Sequence, residues 1–346
     1  MRGLTCRRQR DDHGAVLVWV GVSLVALVGM GAMVIDVGAL YQERRELQNG
    51  ADAAALAVAR DCAEDTCEPG GASEYDTADH FADENANDDA SDVPVVCGDG
   101  PGLTACPEPP DSVPADASGW VLVDTSTRTD EGGTEIEFVL APVLDAANVG
   151  ATVEARAVAA WGPVGSATTI PLIFSTCEFA FAGGSLDPPA FPSVETVIHF
   201  HDNQGNQDST DDCAGSPSGG DFPGGFGWLA EDGDCEIDID AGGWVADKPG
   251  NSVPSGCDPE EWQDAEVLLP LFDRTNGLTG SNGEYHVAGF VGFRITGYRF
   301  SGANWNAPCT GNDRCISGFF TRIVSADGVF GGGGADYGAR AVRMIG

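Results

Sequence analysis

Residues 14–62 read GAVLVWVGVSLVALVGMGAMVIDVGALYQERRELQNGADAAALAVARDC. The stretch from residue 14 to residue 35 contains no charged side chain. As a helix it would be about 33 Å long, enough to cross a hydrocarbon core of about 30 Å. Residues 36–62 are rich in helix formers and contain no proline. The sequence therefore predicts a transmembrane helix over residues 14–35 that continues outward to about Arg60.

The arginines near this segment are distributed unequally on its two sides. Four precede the apolar run, whereas only Arg44 and Arg45 lie within the twenty residues that follow it. The positive-inside bias places residues 1–13 in the cytoplasm as a short tail and the rest of the chain outside. A cleaved signal peptide is the alternative. The length of the apolar run favours a retained anchor, so we expect a single-pass protein of the cell membrane.

Two stripes of residues mark the helix beyond the membrane, over residues 36–62. The apolar stripe consists of Leu40, Leu47, Ala51, Ala54 and Val58. The polar patch consists of Arg45, Gln48, Asn49 and Asp52. Each set follows spacings that place its members on one side of a helix. Two interpretations remain open: packing against the protein's own domain, or docking against another helix-anchored subunit.

Composition indicates an acidic protein with many turns. The chain carries 54 Asp and Glu residues against 17 Lys and Arg, a net charge of -37, and contains 48 glycines and 20 prolines. Such a field repels phosphate backbones, so no nucleic-acid partner is expected. Many turns favour short strands over long helices. The expected fold class is α+β: the long N-terminal helix followed by a β-rich, glycine-rich, disulfide-bonded ectodomain.

Ten of the eleven cysteines follow the apolar segment. They are Cys62, Cys67, Cys97, Cys106, Cys177, Cys213, Cys235, Cys257, Cys309 and Cys315. Outside the cytoplasm such a set usually forms disulfides, and the C-x-x-C spacing of zinc sites does not occur. Closeness in sequence suggests the pairs Cys62 with Cys67, Cys97 with Cys106, and Cys309 with Cys315. The other four allow three pairings that sequence alone does not rank.

The ectodomain is predicted to contain three parts. Residues 63–118 form an acidic segment with a short helix near residues 78–87 and a strand at residues 93–96. Residues 119–162 form a small sheet, with strands expected at residues 120–129, 136–144 and 151–161, that packs on the emerging helix. Residues 163–346 form a second, glycine-rich β unit. Its expected strands span residues 194–200, 285–298, 318–324 and 339–344.

Several patterns resemble binding sites only weakly. Asp124, Thr125 and Ser126 resemble the start of a metal-dependent adhesion loop, but Arg128 stands where a second serine is needed. His199 and His201 alternate on a strand, beside Asp202, and could hold zinc with His286. Two carboxylate-rich groups could gather calcium, although neither has a calcium-loop pattern: Asp234, Glu236, Asp238 and Asp240, and Asp202, Asn206 and Asp208. We expect solvated carboxylates in the acidic groups, a satisfied histidine pair at a polar strand end, and no metal or cofactor.

No nucleophile elbow, phosphate loop or dinucleotide fingerprint occurs in the chain. The sequence therefore gives no positive support for catalysis, and we expect the protein not to be an enzyme. A hydrolase with an unrecognised site remains a weaker alternative.

The helical region closely resembles the N-terminal region of TadE/TadG-like proteins of the Tad (Flp) pilus assembly system. The resemblance covers about residues 8–62. It is carried by Gly14, Asp36, Gly38, Arg44, Leu47 and Gln48, and by the run Ala51, Asp52, Ala53, Ala54, Ala55, Leu56 and Ala57. Weaker similarities follow at residues 78–87, 151–161 and 223–229.

This resemblance implies a membrane-anchored, non-catalytic component of pilus assembly. Its partners would be the lipid bilayer and other Tad subunits or pseudopilins, with cell adhesion as the wider role. The fifth residue after Gly14 is Trp19, whereas substrates of prepilin peptidase carry glutamate there, so we expect the N-terminal tail to be retained. A standalone surface adhesin or binding protein with an N-terminal anchor is the alternative.

Overall fold

The computed structural model describes residues 13–67, 72–129, 132–139, 141–144, 146–147, 149–187, 189–200, 226–230, 233–250, 252–276, 282–325 and 328–345. Its helices are α1 (His13–Ala63), α2 (Ala72–Glu84), α3 (Ala141–Leu144) and α4 (Thr176–Phe181), with a short 3-10 helix at Pro259–Trp262. The predicted α+β organisation, an N-terminal apolar helix followed by a β-rich remainder with disulfides, is confirmed in these terms.

The strands number β1 to β20 over the described residues. The first ten are β1 (Ser91–Asp99), β2 (Gly119–Thr127), β3 (Ile136–Glu137), β4 (Gly150–Ala151), β5 (Glu154–Thr169), β6 (Leu172–Ser175), β7 (Ser185–Leu186), β8 (Pro189–Ala190), β9 (Thr196–His199) and β10 (Phe226–Trp228). The others are β11 (Ile237–Asp240), β12 (Trp244–Ala246), β13 (Glu266–Thr275), β14 (Glu284–Arg299), β15 (Asn304–Trp305), β16 (Cys315–Thr321), β17 (Ile323–Ser325), β18 (Val329–Phe330), β19 (Ala335–Asp336) and β20 (Ala339–Met344).

Two sheets form the body of the domain. Sheet 1 has the order β1-β2-β5-β20-β17, and β11 and β18 also pair with β5. Sheet 2 has the order β10-β6-β13-β14-β16-β9, and β12, β15 and β19 also pair with β14. Two short hairpins, β3-β4 and β7-β8, lie apart from them.

The helices and sheets stack in layers with a core between each pair. In β2, Val121 and Val123 face the second half of α1, whereas Trp120 and Leu122 face the core shared with sheet 2. Both faces of this strand are therefore buried, which explains its nearly unbroken apolar sequence WVLV. The far face of sheet 2 packs an aromatic core around Phe174.

Helix α2 crosses α1 beside Gly50. A side chain there would place its Cβ 3.2 Å from the backbone oxygen of Ala82. Glycine at this position therefore lets the two helix backbones approach closely.

The structure differs from the sequence-based predictions at three places. The apolar stretch 136–144 is not one strand: only Ile136–Glu137 is extended, and Ala141–Leu144 is helical. Pro142 suits the first turn of a helix because it has no N–H to donate. The predicted helix at residues 78–87 is instead Ala72–Glu84. Finally, the expected boundary between residues 162 and 163 falls inside β5, which pairs with C-terminal strand β20.

Candidate interaction surface of the anchored helix

Helix α1 has two halves that differ in their surroundings. From Val16 to Ile35 its large apolar side chains are exposed, and the most apolar window of the helix has no buried residues. This half is long and apolar enough to cross a membrane by length and composition. From Leu47 to Ala63 the helix instead lies against sheet 1. The first half is thus available to lipid, and the second belongs to the domain.

The apolar stripe of the second half is buried in the protein's own core. Ala51 and Ala54 are completely buried and pack with Val121, Val123 and Trp161. Because the domain already covers these positions, they cannot also hold a helix of another subunit. For Leu47, Ala51, Ala54 and Val58 burial therefore favours packing against the protein's own domain, whereas Leu40 is half-buried and lies outside this core.

Gln48 joins the helix to the sheet through its side-chain amide. Its Nε2 donates to Asp52 Oδ1 at 2.8 Å and to the carbonyl oxygen of Arg156 at 3.1 Å. At the preceding residue, the carbonyl oxygen of Leu47 accepts a hydrogen bond from Thr125 Oγ1 at 3.0 Å. The amide–carboxylate pair is the hydrogen bond that the polar patch predicts within the helix. The contact with β5 has no counterpart in the sequence pattern.

Asp36 lies immediately after the apolar segment and is only 6% exposed. Its Oδ1 accepts the backbone N–H of Val139 at 2.9 Å, and its Oδ2 accepts that of Ala141 at 2.6 Å. A carboxylate is a strong acceptor for the free N–H groups at the start of a helix. Asp36 therefore fixes the hairpin tip that contains α3 against α1. No sequence signal pointed to this contact, since its partners are 103 and 105 residues away.

The remaining motif residues lie on exposed parts of α1. No atom approaches within 4 Å of the Cβ position of Gly38, and Leu56 is 38% exposed. Arg44 is exposed and lines a cleft of about 540 Å³ next to the ion pair of Arg156 with Asp124. Among the described parts of the chain, Gly38, Arg44 and Leu56 are thus the motif positions that are exposed, whereas Gln48 and Asp52 are half-buried. We call Gly38, Arg44 and Leu56 the free helix positions.

Disulfides cross-link the domain: four bridges have both cysteines described, and Cys177 belongs to a further one. The described bridges are Cys62–Cys67, Cys97–Cys106, Cys235–Cys257 and Cys309–Cys315. Three of these are the local pairs that closeness in sequence suggests, and the fourth is one that sequence could not rank. Cys177 is also disulfide-bonded, and Cys213 lies outside the described residues.

Most residues of the weak binding-site patterns lie in the described part of the structure. In the adhesion-like pattern, Asp124 Oδ1 lies 2.6 Å from Arg156 Nε, so this carboxylate is paired with a cationic side chain. His286 bonds to Asp273 at 2.7 Å and contacts Arg274 at 2.8 Å. Asp238 and Asp240 are exposed on β11, whereas Asp234 and Glu236 are exposed before the strand begins. His199 is the end of β9, and His201, Asp202, Asn206 and Asp208 lie outside the described residues.

Within the residues that the structure describes, no group of three or more His, Cys, Asp or Glu side chains could hold a metal ion. The structure also contains a buried acid that no sequence pattern predicts. Glu178 in α4 is buried, and this burial raises the pKa of its carboxyl to about 7.

These features define a class of protein: a β-rich, disulfide-bonded domain built directly onto a helix that can anchor it in a membrane. Residues 14–61 match the family model described as "Putative Flp pilus-assembly TadE/G-like". The resemblance to TadE/TadG-like proteins is thereby confirmed for the helix. The match ends before α2 and covers none of the β-strands. No curated protein and no solved structure matches the chain.

Proposed function

We propose that this protein is a non-catalytic, membrane-anchored component of Tad (Flp-type) pilus assembly that acts through contacts of α1 and of its surface. The observation that carries the proposal is the family match over residues 14–61, which coincides with the helix. Its partners are the bilayer and other Tad subunits or pseudopilins.

The contact positions on the helix follow from burial. Ala51 and Ala54 are covered by sheet 1, so they serve the fold. The free helix positions Gly38, Arg44 and Leu56 are the motif residues left for a partner. Gly38 in particular would let a second helix approach closely, as small residues do at helix interfaces in membranes.

The orientation belongs to the same proposal. The arginines before residue 14 favour a cytoplasmic N-terminus, and the disulfides favour an oxidising compartment for the domain. Protease added to intact spheroplasts should therefore digest the domain. Protection until the membrane is lysed would contradict this orientation.

In-cell photo-cross-linking tests the contact surface. A photoreactive amino acid is placed at Gly38 or Arg44, and at Leu47 as the buried control, because this larger side chain leaves more space for the probe than Ala54 does. We expect cross-links from the first two positions to other Tad subunits, and only internal cross-links from Leu47. Absence of intermolecular products from both exposed positions, at normal protein levels, would refute a contact through this part of the helix.

A second candidate function is that of an anchored surface-binding protein. The exposed ring of Trp244 favours it, because the Arg274 guanidinium lies 5.8 Å from its centroid and the His286 ring lies 5.2 Å away. An accessible aromatic ring beside hydrogen-bonding groups suits ligand contact. Trp244→Ala should then reduce adhesion of cells while the number of pili stays normal.

A further inference from the structure

The hairpin that Asp36 holds carries two exposed valines. Val139 is 71% exposed, and Val149, at the start of the returning arm, is 57% exposed. The two arms are joined by the backbone bond from Phe138 N–H to the Val149 carbonyl at 2.9 Å. Val139 and Val149 therefore lie close together at the tip of the hairpin.

This place is next to the end of the membrane segment. Ile35 ends the apolar run, and the following residue, Asp36, binds the backbone of Val139 and Ala141. The body of the domain meets α1 from Glu43, which is hydrogen-bonded to Thr127 of β2. This residue lies seven residues after Asp36, which corresponds to about 10 Å along a helix. The hairpin thus reaches back from the domain toward the level at which the bilayer begins.

We propose that the tip of this hairpin, around Val139 and Val149, inserts into the interfacial layer of the bilayer as a second membrane contact beside α1. The inference rests on the anchoring role of residues 16–35 in the proposed function. We assign lipid as the occupant because the tip is bonded to Asp36, and Asp36 lies between two exposed apolar residues of the helix, Ile35 and Val37.

The charges around the tip fit apolar insertion better than attraction to headgroups. Residues 132–152 contain no Lys or Arg, and their acidic residues are Glu135, Glu137 and Asp145. Glu135 and Glu137 are exposed on the arm that leads to the tip, and Asp145 lies outside the described residues. At the junction with α1, the charge of Asp36 is compensated by two backbone N–H donors. The contact therefore depends on burying apolar area, and it should fix the tilt of the domain over the membrane.

Site-directed spin labelling measures this contact directly. The full chain, with Cys6→Ser to remove the cysteine that precedes the membrane segment, is reconstituted in vesicles of phosphatidylethanolamine and phosphatidylglycerol. A label is attached at Val139→Cys or Val149→Cys. The matched control is Val329→Cys, a valine 53% exposed that pairs with the opposite end of β5. Gly21→Cys, within the apolar segment, reports on the anchor itself.

We expect the labels at residues 139 and 149 to resemble the label at residue 21. Each should collide several-fold more with oxygen, which concentrates in lipid, than with a water-soluble nickel complex, and the label at residue 329 should show the reverse. Labels at residues 139 and 149 with the profile of residue 329 would overturn the inference while leaving the anchor intact. Labels that neither reagent reaches would mean contact with a second copy and would overturn it too. A water-exposed label at residue 21 would refute the anchor on which both proposals rest.

Discussion

The carboxylate of Asp36 accepts the backbone N–H of Val139 at 2.9 Å, across 103 residues of sequence. This hydrogen bond joins the end of the candidate membrane segment to a hairpin of the β domain. Together with the bond from Ala141, it makes the first charged residue after the apolar run a structural clamp. The helix and the domain are therefore connected at two levels, at Asp36 and along residues 43–63.

Asp36→Ala should release the hairpin without unfolding the domain. Hydrogen bonds to a charged group contribute on the order of 1.5–3 kcal/mol each, and the Leu47–Ala63 face stays packed. We expect faster amide exchange at residues 136–151 and nearly unchanged exchange in sheet 1. Asp76→Ala, at an exposed position on α2, is the control. Equal exchange in both variants would contradict the clamp.

Ala54→Trp should destabilise the protein itself. Ala54 is completely buried against sheet 1, so the larger ring has no space, and overpacking of this kind costs about 1–3 kcal/mol. We expect a lower thermal midpoint and reduced protein levels. Leu56→Trp, two residues along the same helix but at a 38% exposed position, should leave the midpoint almost unchanged. If both variants melt like the wild type, the packing of α1 on the sheet is wrong.

Glu178→Gln should change how stability depends on pH. Burial raises the pKa of Glu178 to about 7 from an ordinary value of 4.5. Between these values the folded state keeps the proton and the unfolded state releases it, so this residue makes the fold less stable as pH rises. Above pH 7 ionisation of Glu178 lowers the free energy of unfolding by at most about 3 kcal/mol, because one pKa unit corresponds to about 1.4 kcal/mol. Glutamine carries no such penalty.

The difference between the thermal midpoints of Glu178→Gln and wild type should therefore be positive at pH 8 and shrink toward pH 4.5. Glu236→Gln, at an exposed position just before β11, is the control for loss of one negative charge. Identical pH profiles for the two variants would show that Glu178 ionises freely.

The disulfides should differ in their effect on stability according to the loop that each closes. Cys235–Cys257 closes a separation of 22 residues and Cys62–Cys67 one of 5. Loop-closure entropy gives about 3 kcal/mol for the first and about 2 kcal/mol for the second. Replacing both cysteines of the longer bridge by serine should lower the thermal midpoint more. The reverse order would show that loop entropy does not determine these contributions.

Local patterns in the sequence predicted the elements of this fold better than their contacts. The charge-free run of residues 14–35 and the proline-free segment after it predict α1, because helix length and composition are local properties. Alternation around Val121 and Val123 likewise predicts β2. Burial of Ala54 could not be assigned, because a small-residue stripe suits a partner helix and the protein's own sheet equally well. The pairing of β5 with β20 and the Asp36 clamp depend on residues far apart in sequence, and no periodicity encodes them.

The central claim is that the helix-anchored domain takes part in Tad pilus assembly. Counting pili by electron microscopy in the native host tests it most directly, with the chromosomal gene deleted and then supplied in trans as wild type or as Gly38→Trp. We expect deletion to lower the number of pili sharply, the wild-type gene to restore it, and Gly38→Trp, at normal protein levels, to fail to restore it. An undiminished number of pili in the deletion strain would contradict a role of this protein in pilus assembly.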